Sequence, residues 1–257
     1  MTKALLRVEG LNCQFAGLRA VVDLSFEARA GEIKAVIGPN GAGKSTLFNM
    51  IAGVTRPTSG SIWFEGERID MLPTYRRAKL GITRTFQNLQ IFREMTVLEN
   101  VMVGRHLHGK TGVIGTILHS PRMRAEDRSM TDAAMKLLER FDLDGKAFVQ
   151  ASELSFGQMK LLELARALAC EPSLLLLDEP AAGLPQSEAE HIGKIISALN
   201  RDGMTVLLVE HNMRMVMSLS HDILVLNNGL RIAEGTAEEV RRHPDVIAAY
   251  LGETKHA

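Results

Sequence analysis

The stretch of sequence that decides the fold runs Gly38-Pro39-Asn40-Gly41-Ala42-Gly43-Lys44-Ser45-Thr46. Its first eight residues fit the pattern GxxxxGK[ST], and they lie between a β-rich apolar run at residues 33–37 and a helical run at residues 44–51. Glycines let such a loop curl so that several backbone N–H groups point at one anion, and the following helix adds its positive end. We expect Lys44 to reach the β- and γ-phosphates and Ser45 to offer a hydroxyl to Mg²⁺. The stretch therefore predicts a site for nucleotide phosphates, to which all nine residues contribute.

Two adjacent acids form the second candidate site. Asp178 and Glu179 follow an apolar run at residues 174–177, which reads as a buried strand. Carboxylates at the end of a buried strand are costly unless they serve a cation or a proton transfer. Asp178 fits the strand-end acid that holds Mg²⁺ near a phosphate loop, and Glu179 is then placed to accept a proton from the attacking water. The alternative is an ordinary strand exit with surface acids; the phosphate loop favours the catalytic interpretation.

The rest of the chain alternates strand-like and helical patterns. Helical spacing of apolar residues occurs at residues 130–141 and 157–169, and residues 236–252 read as two short helices divided at His243-Pro244. Short β-rich runs occur at residues 5–8, 33–37, 61–64, 174–177, 205–209 and 223–226. This alternation predicts an α/β fold around a largely parallel sheet.

One region departs from the alternation. Residues 94–150 hold few strand-like runs and mostly helical pattern, interrupted around residues 109–115 and 120–121. We interpret them as a helical subdomain inserted into a core made of residues 1–93 and 151–257. The whole chain, 1–257, is then a single domain.

Composition excludes some classes of protein. The 257 residues are 46% hydrophobic, with 30 Lys+Arg against 30 Asp+Glu, which argues for a globular chain and against nucleic-acid binding through bulk charge. No apolar run approaches the ~20 residues needed to cross a bilayer, and no secretory signal is visible. Cys13 and Cys170 form no CxxC pair and read as reduced cytosolic thiols. If the protein serves a membrane, we expect it to do so from the cytosolic side, through a partner.

Three further segments make the pattern specific. They are Thr85-Phe86-Gln87, Leu154-Ser155-Phe156-Gly157-Gln158 and Val209-Glu210-His211. Together with the phosphate loop and the acid pair, in this order, they resemble the ABC ATPase family over essentially the whole chain. The resemblance implies a P-loop NTPase fold with a mostly parallel core sheet, an antiparallel β subdomain and an inserted helical subdomain. It also implies hydrolysis of ATP with Mg²⁺, coupled to transport across a membrane.

The family's functional residues carry over to matching positions. Gln87 resembles the glutamine that contacts Mg²⁺ and the water and senses the membrane partner. Ser155 and Gly157 resemble the signature residues, which cap the γ-phosphate bound by the opposite subunit. His211 resembles the histidine that contacts the γ-phosphate. Phe15 resembles the aromatic residue that stacks on adenine, although it is also compatible with a place in the core.

Two positions depart from the general family pattern. Phe156 stands where most members have glycine, but an aromatic residue there is typical of the branched-chain amino acid branch. Pro185 stands where many members have Asp and this branch usually has Asn. Because proline has no polar side chain, the side-chain hydrogen bond that the family makes there across the dimer cannot come from Pro185. The departure concerns communication between the two ATP sites and leaves the phosphate loop untouched.

Longer stretches resemble the importers of branched-chain amino acids, namely residues 84–88, 92–101, 179–184 and 249–253. The resemblance implies a peripheral protein on the cytoplasmic face of the cell membrane. Its implied partners are membrane permease subunits, a second ATPase subunit in a homo- or heterodimer, and indirectly a periplasmic or extracellular binding protein. Relatives that import urea, amides or other amino acids share much of this sequence. A soluble ABC ATPase of DNA repair or translation, and a regulatory module without hydrolysis, are the alternatives from other classes.

Overall fold

The computed structural model describes residues 4–85, 89–105 and 121–252. The chain divides into two compact units. The first unit combines the chain up to Arg84 with the chain from Ser173 onward, and the second unit runs from Thr85 to Pro172. In the described ranges no helix is both long and apolar enough to cross a bilayer.

All the strands of the described residues lie in the first unit. In chain order they are β1 (Ala4–Phe15), β2 (Leu18–Arg29), β3 (Ile33–Ile37), β4 (Ser59–Phe64), β5 (Glu67–Arg68), β6 (Ile82–Arg84), β7 (Leu174–Asp178), β8 (Thr205–Val209), β9 (Asp222–Asn227) and β10 (Leu230–Gly235). They form a six-stranded sheet in the order β10-β9-β3-β8-β7-β6 and a four-stranded sheet in the order β2-β1-β4-β5.

The six-stranded sheet is mostly parallel. Only β10 runs antiparallel to its neighbour, at one edge. Every residue of β3, β7 and β8 is buried, as expected for strands that are covered on both faces. Two of these residues are charged: Asp178, which ends β7, and Lys34 in β3, whose ammonium group pairs with Asp222 of β9 and Glu234 of β10. A buried charge of this kind persists because it has partners.

The four-stranded sheet is antiparallel throughout. Its longest pair, β1 with β2, is interrupted by several register shifts, and Asp23 has a positive φ of 45°. These irregularities break the alternation of buried and exposed residues along β2. The interruption lies between Val21 and Leu24, and buried residues alternate regularly only from Leu24 to Arg29. Because a period of two is the main signal of a half-buried strand, the sequence predicts no strand at residues 18–29.

The helices of the first unit are α1 (Lys44–Ala52), α2 (Thr74–Lys79), α6 (Gln186–Arg201), α7 (Met213–Leu219), α8 (Ala237–Arg242) and α9 (Pro244–Gly252). The second unit contains α3 (Val97–Arg105), α4 (Pro121–Glu139) and α5 (Phe156–Leu168), with 3₁₀ turns at Asp144–Lys146 and Ala151–Glu153. The predicted pair of C-terminal helices is confirmed by α8 and α9, which meet at His243.

The second unit is wider than the predicted insertion of residues 94–150. It begins at Thr85 and continues through α5, because α3 packs against both α4 and α5. The sequence pattern showed α5 as an amphipathic helix but contained no sign of which unit it packs in. Contacts between residues far apart in the chain therefore decide where this unit ends.

Arg77 binds the carboxyl-terminal end of α1, the helix that follows the phosphate loop. Its side chain is 1% exposed, and its guanidinium donates to the carbonyls of Met50 and Ile51, in the last turn of α1, at 2.5 and 2.9 Å. It also donates to the main-chain carbonyls of Asp70 and Leu72 at 3.0 and 2.9 Å. Burial lowers the pKa of Arg77 to about 10, so the group remains charged at neutral pH. A cation on the last carbonyls of a helix satisfies them and favours the helix dipole.

We predict that Arg77→Met destabilises the protein by about 3 kcal/mol, since several buried carbonyls lose a charged donor. The melting temperature should fall by roughly 6–12 °C in a chain of this size. Arg76→Met, an exposed neighbour on the same helix, is the matched control and should leave the melting temperature almost unchanged. Equal melting temperatures for the two variants would contradict this role of Arg77.

Candidate functional site

The phosphate loop lies between the end of β3 and the start of α1, at the carboxyl edge of the large sheet. Gly38 and Gly43 have φ values of 150° and 101°. A Cβ atom on Gly38 would lie 2.1 Å from the carbonyl oxygen of Leu226, and one on Gly43 would lie 2.3 Å from that of Ala20. The loop is therefore pressed against backbone from β9 and β2, at a distance that only glycine allows.

Lys44 is held over the same loop. Its ammonium group donates to the carbonyl oxygens of Gly38 and Pro39 at 2.6 and 2.8 Å, and the residue is only 7% exposed. The helix that starts at Lys44 has Gly43 as its N-cap, without a side-chain cap. The first turn of α1 consequently presents backbone N–H groups and the positive helix end where the sequence predicts a phosphate.

Asp178 is the last residue of β7 and is 2% exposed. Arg84, at the end of the neighbouring strand β6, donates to its Oδ2 at 2.7 Å and to the Asn49 side chain at 2.6 Å. The pair is buried on both sides, so each charge depends on the other. Arg84 therefore fixes the direction of the Asp178 side chain at the sheet edge.

Glu179 adopts a left-handed backbone conformation, with a φ of 51°. Such a conformation costs a residue with a side chain about 1–3 kcal/mol and persists only where the surroundings hold it. The N–H of Glu179 donates to Val209 at 2.9 Å, and its carbonyl accepts from Ala182 at 3.1 Å. The side chain then points to His211, whose Nε2 lies 2.9 Å from Oε1 of Glu179. Glu179 and His211, two of the three residues predicted to be catalytic, are thus in direct contact.

Phe15 ends β1 in a hairpin, where it pairs with Leu18 of β2. The ring is 47% exposed, so its alternative placement in the core does not describe this structure. Ala20, two residues beyond Leu18, provides the carbonyl that approaches Gly43. The hairpin and the phosphate loop are therefore neighbours.

The predicted signature residues lie in the second unit. Ser155 is the N-cap of α5, and its hydroxyl accepts from the N–H of Gln158 at 3.3 Å. The Gln158 side chain accepts in turn from the N–H of Ser155 at 3.1 Å and from Lys146 at 2.9 Å. Ser155 and Phe156 are exposed and Gly157 is buried. A capping box thus fixes the start of the helix and leaves Ser155 at the surface.

The sequence profile of the family described as ABC transporter matches residues 21–182, more than half of the chain. The chain belongs to the ABC transporter family. A second profile, described as branched-chain amino acid ATP-binding cassette transporter, matches residues 231–256.

Relatives of this ABC protein match over nearly its whole length. The high-affinity branched-chain amino acid transport ATP-binding protein LivG of Salmonella typhimurium is 45% identical over 254 residues, covering 98% of this chain and 100% of the relative. The protein BraF of Pseudomonas aeruginosa, with the same description, is 42% identical at the same coverage. The probable LivG of Archaeoglobus fulgidus is 36% identical, covering 96% of this chain and 95% of the relative.

Solved structures agree with the fold. A nucleotide-free ATP-binding cassette from an ABC transporter is 33% identical with a TM-score of 0.84, covering 96% of this chain and 99% of that one. The ADP conformation of an ATP-binding cassette of an ABC transporter has the same identity and TM-score, covering 98% and 100%. The predicted fold class, an ABC ATPase with a mostly parallel sheet, an antiparallel β subdomain and a helical subdomain, is confirmed.

Gln87 and Pro185 are two further positions that the sequence analysis of this ABC protein singles out. Gln87 lies outside the described residues. Pro185 is the N-cap of α6, with a φ of −56°, and its carbonyl accepts from the N–H of Ala189 at 3.0 Å. Proline has this φ by virtue of its ring, so it starts the helix without strain while offering no side-chain cap.

Sequence reasoning missed three polar residues of the ABC fold. Arg84 pairs with Asp178, Lys146 supports the capping box of Ser155, and Glu210 binds three backbone N–H groups beside His211. Arg84 and Glu210 stood inside the quoted motifs. A charged residue within an otherwise apolar or catalytic segment is the signal that could have pointed to them, because a buried charge requires a partner.

We predict that Gly43→Ala abolishes binding of a fluorescent ATP analogue, because the added Cβ would collide with the Ala20 carbonyl and the φ is unfavourable. Gly41→Ala is the matched control. Its φ is also positive, at 79°, but nothing lies within 4 Å of the added Cβ, so backbone strain of about 1–2 kcal/mol is the whole expected cost. Equal losses of affinity in the two variants would show that the close approach is unimportant.

Proposed function

We propose that this chain is the ATP-binding and ATP-hydrolysing subunit of an importer of branched-chain amino acids. The observation that carries the proposal is the 42–45% identity, over 98% of the chain, to relatives described as branched-chain amino acid transport ATP-binding proteins. The match of residues 231–256 to a profile of the same description supports it independently of the nucleotide site.

The phosphate loop binds the ATP phosphates in this proposal. Residues 38–46 surround the anion with backbone N–H groups, and the start of α1 adds its positive end. Lys44 exchanges its carbonyl contacts with Gly38 and Pro39 for contacts with phosphate oxygens. Because the loop is already shaped by its contacts with β2 and β9, little reorganisation opposes binding.

The donors at the sheet edge fit Mg²⁺. Ser45 has an exposed hydroxyl at the start of α1, and Asp178 offers a carboxylate; Gln87 is the third predicted ligand. Mg²⁺ prefers hard oxygen donors and is commonly held by one or two carboxylates together with substrate phosphates. Bound there, the ion would neutralise charge on the β- and γ-phosphates. The residues present fit that role.

Glu179 acts as the general base and His211 as its partner. Glu179 accepts the proton of the attacking water, and the 2.9 Å contact with His211 orients its carboxylate. His211 is half exposed, so its ring is accessible to the γ-phosphate. The backbone strain at Glu179 fits a catalytic role, in which the orientation of the side chain matters more than the conformational energy that the strain costs.

Phe15 supplies the adenine contact. Its exposed ring stands in a hairpin that lies against the phosphate loop, within the same unit. An aromatic face of this kind stacks on a base without reading its hydrogen-bonding edge. The contact therefore adds affinity but little selectivity among bases.

A second ATPase chain completes the site. Ser155 and Gly157 start a helix whose N–H groups suit an anion, and the family places them on the γ-phosphate of the opposite subunit. The active form is then a head-to-tail dimer with ATP at its interface. We favour a heterodimer with a similar ATPase, as is common in this branch.

The second unit also carries the proposed docking surface for the permease, together with Gln87. Phe92, Met95 and Phe148 are 46%, 38% and 79% exposed. The loop segments that hold them lie side by side, since the N–H of Ala151 donates to the Met95 carbonyl at 2.9 Å and Thr96 forms an isolated β-bridge with Gln150. Large exposed apolar side chains in one area fit a contact with a membrane subunit at the cytoplasmic face. A crosslinking scan that placed the permease elsewhere would contradict this surface.

Hydrolysis is tested by Glu179→Gln. We expect turnover of purified protein to fall by about 10²–10⁴-fold, the usual contribution of a general base, while binding of the ATP analogue is retained. Glu188→Gln, an exposed carboxylate in the first turn of α6, is the control and should keep wild-type turnover. Wild-type turnover in Glu179→Gln would remove Glu179 from the chemistry.

Transport is tested by uptake of radiolabelled leucine, isoleucine and valine in cells with and without this chain. We expect uptake to disappear in the deletion and in cells carrying Lys44→Ala, because the loop then loses its phosphate-binding charge. The wild-type chain should restore it. Unchanged uptake of all three in a strain without redundant transporters would redirect the search to urea, amides or other amino acids.

A further inference from the structure

Glu210 is a buried carboxylate that binds backbone N–H groups from two loops. The residue directly follows β8 and is 3% exposed. Its Oε1 accepts from the N–H of Ala181 at 2.8 Å. Its Oε2 accepts from the N–H groups of His211 and Asn212 at 2.9 and 3.1 Å. Both oxygens of the carboxylate are therefore occupied by main-chain donors.

The two loops are those that carry the proposed catalytic pair. Ala181 lies two residues after Glu179, and His211 is the residue next to Glu210. The strands before these loops are parallel neighbours in register, with Asp178 opposite Val209. The side chain of Glu210 thus joins the loop after β7 to the loop after β8, at the point where Glu179 contacts His211. We call this contact, made by Glu210 with Ala181, His211 and Asn212, the clip.

The chemistry of the clip depends on the negative charge. Hydrogen bonds from N–H groups to an ionised carboxylate are shorter and stronger than bonds between neutral groups. Burying the charge is costly, and the three N–H groups offset that cost. Aspartate is one methylene shorter and would not span both loops. Glutamine has the right length, but one of its two terminal atoms is a donor, and this donor would face a main-chain N–H.

The clip also reaches a helix start. Asn212, whose N–H binds Glu210, is the N-cap of α7, and its side chain accepts from the N–H of Met215 at 3.1 Å. The turn that presents His211 is consequently anchored on both sides, by Glu210 before it and by α7 after it. Of the three main-chain bonds to the Glu210 carboxylate, the one from Ala181 extends across to the loop of Glu179.

We propose, on the basis of the ATPase function given above, that Glu210 is a positioning residue that fixes Glu179 relative to His211. Among the described residues, its three hydrogen bonds go to main-chain N–H groups of these two loops and none goes to the phosphate loop. Its carboxylate holds the main chain of both loops so that the 2.9 Å contact between the two side chains is kept. A positioned base works only within a narrow range of geometry, so loosening either loop lowers turnover without weakening nucleotide binding.

The test is Glu210→Gln in the full chain, with Glu32→Gln as the matched control. Glu32 lies in the same unit and accepts one main-chain N–H, from Arg29 at 2.6 Å. We expect kcat of Glu210→Gln to fall by about 10- to 100-fold, the loss of one or more charge-assisted bonds that hold the loops. Affinity for the ATP analogue should remain within about twofold. Glu32→Gln should behave as the wild type.

Hydrogen exchange separates positioning from a general loss of stability. We expect at least about tenfold faster exchange at the amides of Ala181, His211 or Asn212, with β3 and α1 unchanged. Faster exchange throughout the chain, together with a lower melting temperature, would overturn the proposal. Local loosening without a change in kcat would also overturn it.

A double mutant shows whether Glu210 acts through Glu179. In the Glu179→Gln background, Glu210→Gln should lower kcat no further, because residues that act as a unit are not additive. Independent, multiplicative losses would reject the coupling. If the wild-type chain hydrolyses no ATP, the proposed ATPase function fails, and the exchange pattern still reports separately whether the clip exists.

Discussion

The parallel pairing of β3, β8 and β7 is the constraint on which the site depends. In their register Val36 lies opposite Val209, and Val209 lies opposite Asp178, so three strands end level with one another. Parallel strands present their carboxyl ends at one edge, and ligands of open α/β sheets bind there. The phosphate loop, Glu179 and His211 follow within two residues of this line. Their proximity is thus a consequence of strand order and register.

Three carboxylates, of Asp178, Glu179 and Glu210, lie at this sheet edge, where they are largely shielded from water. Each of them has a specific partner. Asp178 pairs with Arg84, Glu179 meets His211, and Glu210 takes three main-chain N–H groups. Lone buried charges would be costly, whereas paired ones become fixed dipoles with defined directions. The arrangement therefore needs little reorganisation before it can act on developing charge.

In the second unit, side-chain hydrogen bonds fix the start of the helix that carries the predicted signature residues. Lys146 holds Gln158, Gln158 closes the capping box with Ser155, and α5 begins where that box places it. Ser155 is exposed, although a polar cap has no need of exposure to stabilise its helix. The signature segment is held by local hydrogen bonds and is exposed at the surface. Both properties fit the proposal that it contacts ATP bound to a second chain.

Much of this could be predicted from local sequence. The spacing of apolar residues along the chain and the residue types with restricted backbones predict several elements. These are the bounds of β3 and β8, the start of α1 after Gly43, the helices after Thr236 and the strand that ends in acids. The phosphate loop is of the same kind. Glycine at Gly38 and Gly43 is required by conformation and close approach, and lysine and serine follow at fixed positions.

Only the tertiary structure decided what each polar group binds. Arg84 meets Asp178 across 94 positions of sequence, and Lys34 meets Asp222 across 188. The bulged strand β2, the extension of the second unit through α5 and the clip at Glu210 also depended on distant contacts. By itself the sequence determined several of the segments that form strands and helices, and which of them carry phosphate chemistry, because those properties depend on neighbours along the chain. The partners of its buried charges depend on strand order and packing, which bring together residues that no local pattern relates.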